Sequence, residues 1–142
     1  ELGHRINFLD PPDHPRVRQL VSKAFTPRRI AGLRPFVARL SRDILGRFVD
    51  VGEFDLYADF AHQVPALVIS ELLGVPPQDR DRLTGLSDDV AKLLGLGDMT
   101  EERLRVGCVA AEAMHAYLRA LLEERRVHPQ DDLLSALLAA EE

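Results

Sequence analysis

Apolar positions recur at three-and-four spacing along most of the chain, interrupted by proline, glycine and acidic clusters. The first dozen residues read as loop, closing in Asp10-Pro11-Pro12-Asp13. A helix is expected from Pro15 to about Phe25, capped by Asp13 or His14, with Val17, Leu20, Val21 and Ala24 on one face. Thr26-Pro27 stops it and caps a short turn through Ile30. Leu33, Phe36, Val37, Leu40, Ile44, Leu45 and Phe48 mark an amphipathic helix over about Pro35 to Val49, with Arg34, Arg39, Arg42 and Arg47 largely opposite. Val51 to Asp55 is a break that could hold a very short strand.

From Tyr57 to Leu73 the sequence is apolar nearly all round, which predicts a buried helix that Pro65 either kinks or shortens at its start. Gly74 ends it and Pro76-Pro77 confirms the stop. A further helix is expected from Pro77 to Leu94, then a flexible Gly95-Leu96-Gly97-Asp98 hinge. Thr100 caps the longest helix, about Glu101 to Arg126, with Leu104, Cys108, Ala111, His115, Leu118 and Leu122 on one side. His128-Pro129 breaks it, and Asp131-Asp132 opens a last helix through Leu133, Leu134, Leu137 and Leu138. The expected fold class is all-α, with residues 1–142 forming one helical segment, a compact domain or part of one.

Composition changes this picture little. The chain has 142 residues, 46% hydrophobic and 29% charged, which is ordinary globular usage. There is no apolar run long enough to span a bilayer and no basic-then-apolar leader, so no membrane association is expected. The start at Glu1 rather than methionine points to a cut or processed piece. A single cysteine, Cys108, cannot form an internal disulfide, and a reducing cytoplasm is the simple reading.

Charge is uneven. Residues 1–50 hold ten Lys/Arg against five Asp/Glu, whereas the remainder holds eight against eighteen. An anionic cofactor or an acidic protein suits the basic part better than nucleic acid, because aromatics are only 6% and no reader motif is present. From charge alone, a solvated helix face is the simpler alternative.

Candidate chemistry is sparse. His4, His14, His62, His115 and His128 show no i, i+4 pairing and there is no cysteine pair, so no metal site is expected. No serine stands in a Gly-x-Ser-x-Gly elbow, and Gly95-Leu96-Gly97 follows a helix rather than a strand, so neither a nucleophile nor a phosphate loop is assigned. Cys108 and His115 lie on the expected apolar stripe and read as packed side chains. His14 and Arg18 differ, because four residues apart they share a helix face and offer a ring N–H and a guanidinium fork. Alone, the pair is a solvated His-Arg couple or a clamp for an anion.

One resemblance changes that balance. The run Phe8-Leu9-Asp10-Pro11-Pro12-Asp13-His14-Pro15-Arg16-Val17-Arg18 through Lys23-Ala24-Phe25-Thr26-Pro27-Arg28-Arg29 resembles the entry to the C helix, and the helix itself, of bacterial cytochromes P450. Gly52-Glu53-Phe54-Asp55-Leu56 resembles the family's break before the E helix, and Phe60 to Pro65 with Val68 to Pro76 resembles the E helix. Asp131 to Leu138 is similar to the stretch leading towards the I helix. The resemblance covers nearly the whole chain in order and is weakest from Thr84 to Arg105.

The resemblance implies part of the helical P450 fold (C, D, E, F, G and H helices), without the N-terminal sheet and the haem-thiolate core. It implies a monooxygenase that oxidises a small hydrophobic organic substrate with O2, contains haem b, and takes electrons from a ferredoxin or flavoprotein. His14 and Arg18 match the family's propionate-binding His-x-x-x-Arg, so they become the cofactor-binding residues. Arg16, Lys23, Arg28 and Arg29 become candidates for the electron-donor contact. The segments before His14 and around Asp88–Leu96 and Met99–Arg105 resemble regions that touch substrate, with Gly95 and Gly97 as hinge of an F/G lid. No catalytic residue is assigned. The oxygen-activating I-helix motif, the Glu-x-x-Arg pair and the cysteine loop are absent from these residues, and Cys108 lacks the frame of an axial ligand. A non-catalytic P450-derived scaffold or activator that binds no haem is therefore the alternative, and an unrelated helical bundle a third.

Overall fold

The first helix is anchored by its own loop, since the Asp10 carbonyl accepts the amides of Asp13 (3.0 Å) and His14 (3.1 Å). In the computed structural model, which describes Ile6 and residues 9–93 and 98–141, this helix, α1, spans Asp13–Ala24. It starts two residues before the expected Pro15, and neither Asp13 nor His14 caps it; Pro12 holds the cap position without a side-chain bond. Pro15 then falls at the third helical position, where a missing N–H still costs nothing.

The remaining elements follow the punctuation closely. α2 (Pro27–Gly32) is capped by Thr26, whose hydroxyl accepts the Arg29 amide. α3 (Arg34–Gly46) stops three residues short of Val49, and residues 47–51 continue as turns closed at three- and four-residue spacing. No strand forms at 51–55 or elsewhere among the described residues. Gly52 reverses the chain there with φ +80°.

The apolar stretch after it divides into one π-helical turn, Leu56–Ala61, and α4, Gln63–Leu72. Asp55 caps the turn by accepting the amides of Tyr57 and Ala58, both at 2.9 Å. Pro65 shortens α4 at its start rather than kinking it, because it lies in the first turn, where its absent amide has no partner to lose. α5 (Arg80–Ala91) is preceded by a 3-10 turn, Pro77–Asp79. Leu94, the expected end of α5, and the Gly95/Gly97 hinge lie outside the described residues. α6 (Glu101–Val127) is capped by Thr100 and ends at His128, as the sequence predicts. α7 spans Leu133–Glu141.

α5 and α6 form the most extensive helix pair. Leu83, near the start of α5, joins Leu121 of α6 in one cluster, while Leu93, just past its end, lies against Gly107. The two helices therefore run antiparallel. A Cβ at Gly107 would sit 2.4 Å from the Leu93 side chain, so the absence of a side chain sets this close approach. The buried stripe of α6 runs through Gly107, Ala110, Leu121 and Arg125, one residue round from the expected Leu104–Cys108–Ala111–His115 line. Cys108 and His115 are consequently exposed rather than packed. Small residues at 107 and 110 admit the neighbouring chain, and that outweighs the larger apolar area one residue on.

The core itself is small: Val75, Leu83, Leu121 and Leu134, with Leu73, Tyr117 and Leu122 against it. The apolar stretch predicted as buried is largely not. Tyr57 and Ile69 are 70% and 55% exposed, and among the described residues α4 packs mainly on α3, α5 and the π-helical turn. The whole chain exposes 10224 Å², where a compact monomer of 15.9 kDa exposes about 7,400 Å².

A buried polar centre joins α4, α6 and α7. Arg125 donates from Nε to Asp132 Oδ2 (2.5 Å), from one terminal nitrogen to the Gly74 carbonyl (2.8 Å), and from the other to Glu124 (2.8 Å). Asp132 caps α7 by accepting the Ser135 amide at 2.8 Å, and its carbonyl accepts from Arg29 of α2 at 2.5 Å. Gly74 ends α4 in a Schellman turn, with Val75 N–H bonded to Ser70 O and Gly74 N–H to Glu71 O. Its φ is +72°, and a Cβ there would lie 2.1 Å from Asp132 Oδ2.

Burial pushes the Asp132 carboxyl up, but the hydrogen bonds of Arg125 and of the Ser135 amide and hydroxyl together hold it below its ordinary value of 3.8. The pair thus contributes stability that is complete above that ordinary value and is lost as pH falls through the lower folded value. Arg125→Met leaves Asp132 buried without its counter-charge and should cost about 3–5 kcal/mol at neutral pH by urea unfolding. That deficit should narrow as pH is lowered towards about 3, because the orphaned carboxyl then takes up a proton.

The two left-handed glycines separate strain from packing. Gly52→Ala meets nothing within 4 Å and should cost about 1 kcal/mol for its backbone alone. Gly74→Ala also displaces Asp132 and should cost about 3 kcal/mol or more in the same assay. Finally, Tyr117 donates to Asp79 at 2.9 Å, and burial, with the Asp79 hydrogen bond second, pushes its phenol up to about 12. Absorbance titration should show a tyrosine ionising near that value, and Tyr117→Phe should abolish that step.

Candidate functional site

α1 places His14 and Arg18 one turn apart. At 100° per residue, Arg18 is rotated about 40° from His14, and both flank the side bearing Val17, Val21 and Ala24. His14 is half-buried and Arg18 exposed. Arg16 pairs loosely with Asp13 at 3.8 Å. Among the described residues, neither His14 nor Arg18 bonds to a carboxylate or any other protein group. Two donors are thus left available on adjacent positions of one helix, beside the face that packs on α7. Such a pair fits an acidic group: the guanidinium offers a planar fork and the imidazole one N–H.

The other basic candidates behave unequally. Lys23 and Arg28 are exposed. Arg29 instead turns into the protein, bonding the Asp132 carbonyl and Asp131 (3.3 Å). It is a structural tie between α2 and α7 rather than a free surface cation, since a carbonyl at the start of α7 holds it more firmly than solvent does.

A second region lies where α5 gives way to α6. A shallow, open cleft of about 480 Å³ is lined by Lys92, Glu102, Arg103 and Val106. Arg103 spans it, donating to the carbonyls of Lys92 and Asp98, each at 3.3 Å. Three of its four lining residues carry a charged group and the cleft is open to solvent, so these residues alone do not enclose an apolar substrate.

Among the polar pairs that the pattern of the sequence misses, two lie at the ends of α4. His62 Nε2 lies 2.7 Å from Asp88 Oδ1 and ties the start of α4 to α5. The Arg125–Asp132 pair is the other. Both bind helices to each other rather than facing a cleft. Among the described residues there is no group of three or more His, Cys, Asp or Glu that could hold a metal ion, and no helix is long and apolar enough to cross a membrane.

Comparison with known proteins gives this geometry a family. No family model matches the chain. Curated relatives do: it is 44% identical over 140 residues to the cyclomarin C epoxidase CymV of Salinispora arenicola, covering 96% of this chain and 34% of that protein. It is 43% identical over 133 residues to the mycinamicin IV hydroxylase/epoxidase of Micromonospora griseorubida, covering 93% and 32%. Its fold superposes on the ligand-free structure of cytochrome P450 TbtJ1 with a TM-score of 0.87 at 39% identity, over 98% of this chain and 36% of that one. The chain belongs to the bacterial cytochrome P450 family.

It spans about a third of the length of the curated P450 relatives it matches. The all-helical architecture expected from the resemblance is borne out over the described residues. Cytochromes P450 are haem proteins, and the relatives above are named for hydroxylation and epoxidation of organic molecules.

Proposed function

We propose that this chain forms the C-to-H helical portion of a haem-thiolate monooxygenase, in which His14 and Arg18 hold the haem propionates. The observation that carries this reading is the donor pair on α1, one turn apart and without a protein partner among the described residues, in a chain of P450 sequence. Haem b, once bound with an axial thiolate, supplies oxygen activation. The chain's own part is to bind and orient. Arg18 and His14 would hold the haem propionates, the guanidinium through a charge-assisted contact and the imidazole through its ring N–H.

The exposed surface supports the same reading. The excess over a compact monomer is roughly 2,800 Å², and it includes large apolar side chains at Val49, Val51, Leu56 and Tyr57. Surface of that extent and composition is what a helical portion presents before the rest of its protein covers it. The segments at the end of α5 and the start of α6 form part of the roof over a small hydrophobic organic substrate. Arg16, Lys23 and Arg28 meet the acidic electron donor, a ferredoxin or a flavoprotein, in the cytoplasm.

The test is spectroscopic and uses the complete protein. Reduced and exposed to CO, it should show a thiolate-type Soret band near the wavelength that gives the family its name; a protein that takes up no haem would leave only the haem-free scaffold. In that background, Arg18→Ala should raise the rate of haem loss to apomyoglobin by about tenfold, in keeping with one lost charge-assisted contact. His14→Ala should raise it less. Unchanged haem retention and reduction potential in both variants would remove the propionate role.

A further inference from the structure

Of the basic residues on α1, α2 and α3, Arg29 alone among the described residues bonds to a distant helix. One terminal nitrogen donates to the Asp132 carbonyl at 2.5 Å and the other meets Asp131 at 3.3 Å. Arg16 and Arg42, by contrast, find partners only within their own helices. Arg29 stands just past the end of α1, and the corner between them is tight. Phe25 N–H bonds to Val21 O, Thr26 N–H bonds to Ala24 O, and the Thr26 hydroxyl accepts the Arg29 amide.

α1 is gripped beside that corner and reaches away from it. Ala24, its last residue, is the buried one of the helix, while Val17, Leu20 and Val21 are half-buried. His14 and Arg18 lie about 15 Å and about 9 Å along the axis from Ala24. A tilt of about 5° at the corner therefore moves His14 by roughly 1 Å. A recognition pair works only when held within about 0.5 Å of its geometry. Apolar packing of α1 on α7 resists separation but has no direction of its own. A directional bond at the gripped end therefore decides the angle.

We propose that Arg29 is a positioning residue for the His14–Arg18 donor pair, fixing the angle of α1 against α7 through the Asp132 carbonyl. The inference rests on the propionate reading above and adds to it a residue that acts through α1. A general fold-holding role matches less well. α7 keeps its place without Arg29, because Arg125 holds the Asp132 carboxylate at 2.5 Å and bonds the Gly74 carbonyl as well. The Asp132 carbonyl also has a helical partner of its own, the Ala136 amide at 3.2 Å. What Arg29 adds to α7 is the connection to the α1–α2 corner. Its contact with Asp131 adds little, because that carboxylate is fully exposed.

The haem-loaded complete protein carries the test, with haem loss to apomyoglobin and the haem reduction potential as readouts. Arg29→Gln should raise the rate of haem loss about fivefold, in keeping with a weakened contact rather than a missing one. The potential should fall, since a cation held less closely favours the reduced haem less. In a background of His14→Ala with Arg18→Ala, the same substitution should change the rate by less than about twofold, because it acts only through residues already removed. Arg29→Lys keeps one donor for the carbonyl and should raise the rate by a smaller factor, which again disappears without the donor pair. An equal increment with and without the pair overturns the positioning role and leaves Arg29 a structural tie. A Gln variant with a lowered urea midpoint but unchanged haem loss and potential does the same. Should Gln prevent folding, the Lys variant decides by the same comparison. Haem retention unaltered by His14→Ala and Arg18→Ala together, with Arg29 intact, overturns the propionate reading and this proposal with it.

Discussion

A guanidinium 3% exposed to solvent organises this chain. Desolvating Arg125 would cost several kcal/mol if it were left unpaired, and it is offset by a carboxylate, a carbonyl and a second acid arranged round it. Each partner belongs to a different part of the fold: Asp132 to the start of α7, the Gly74 carbonyl to the end of α4, Glu124 to α6 itself. With only four side chains in the buried apolar cluster, this polar centre weighs heavily in fixing how three helices meet. Its influence reaches the candidate site. Asp132 caps α7, α7 is the main partner of α1, and α1 carries His14 and Arg18. α7 therefore links the polar centre to the helix that carries the donor pair, with Arg29 adding a second tie through the Asp132 carbonyl.

What could be read from the sequence divides along physical lines. Signals that act within a few residues were legible: Thr26 and Thr100 as caps, Gly74 as a left-handed stop, His128-Pro129 as the end of α6. The i, i+4 spacing of His14 and Arg18 was legible for the same reason. Signals that depend on which neighbour arrives were not. α6 has apolar residues on more than one side, and its true inward stripe was chosen by Leu93 pressing on Gly107, an event that periodicity does not contain. The α4 stretch is apolar nearly all round, yet apolarity states only that a helix should be covered and not that these residues cover it.

Arg125 shows the same limit from the polar side. An arginine near the end of a long helix reads as a surface charge that complements the dipole. Continuing the stripe from Leu121 by four residues lands on Arg125, and an acid, Asp132, follows the next break. That conjunction was the available signal, but it only becomes decisive once α4 brings a carbonyl to the same place. Arg29 misleads in a related way, because its neighbours Arg28 and Thr26 are exposed and nothing local distinguishes it.

The exposed surface of the chain is of two chemical kinds, and they call for different partners. From Leu45 to Tyr57 large apolar side chains stand in water among the charges of Arg47, Asp50, Glu53 and Asp55, with Val49 and Tyr57 77% and 70% exposed. Each square ångström left in water forgoes about 25 cal/mol, so such surface is stable only under a permanent cover. On α1, α2 and α3 it is basic, and a solvated guanidinium loses nothing by waiting. Charged surface of that kind favours encounter rates and release over tight association. The division between the two kinds of surface follows from side-chain chemistry alone: the apolar residues are suited to a lasting cover, and the basic ones to a partner that comes and goes.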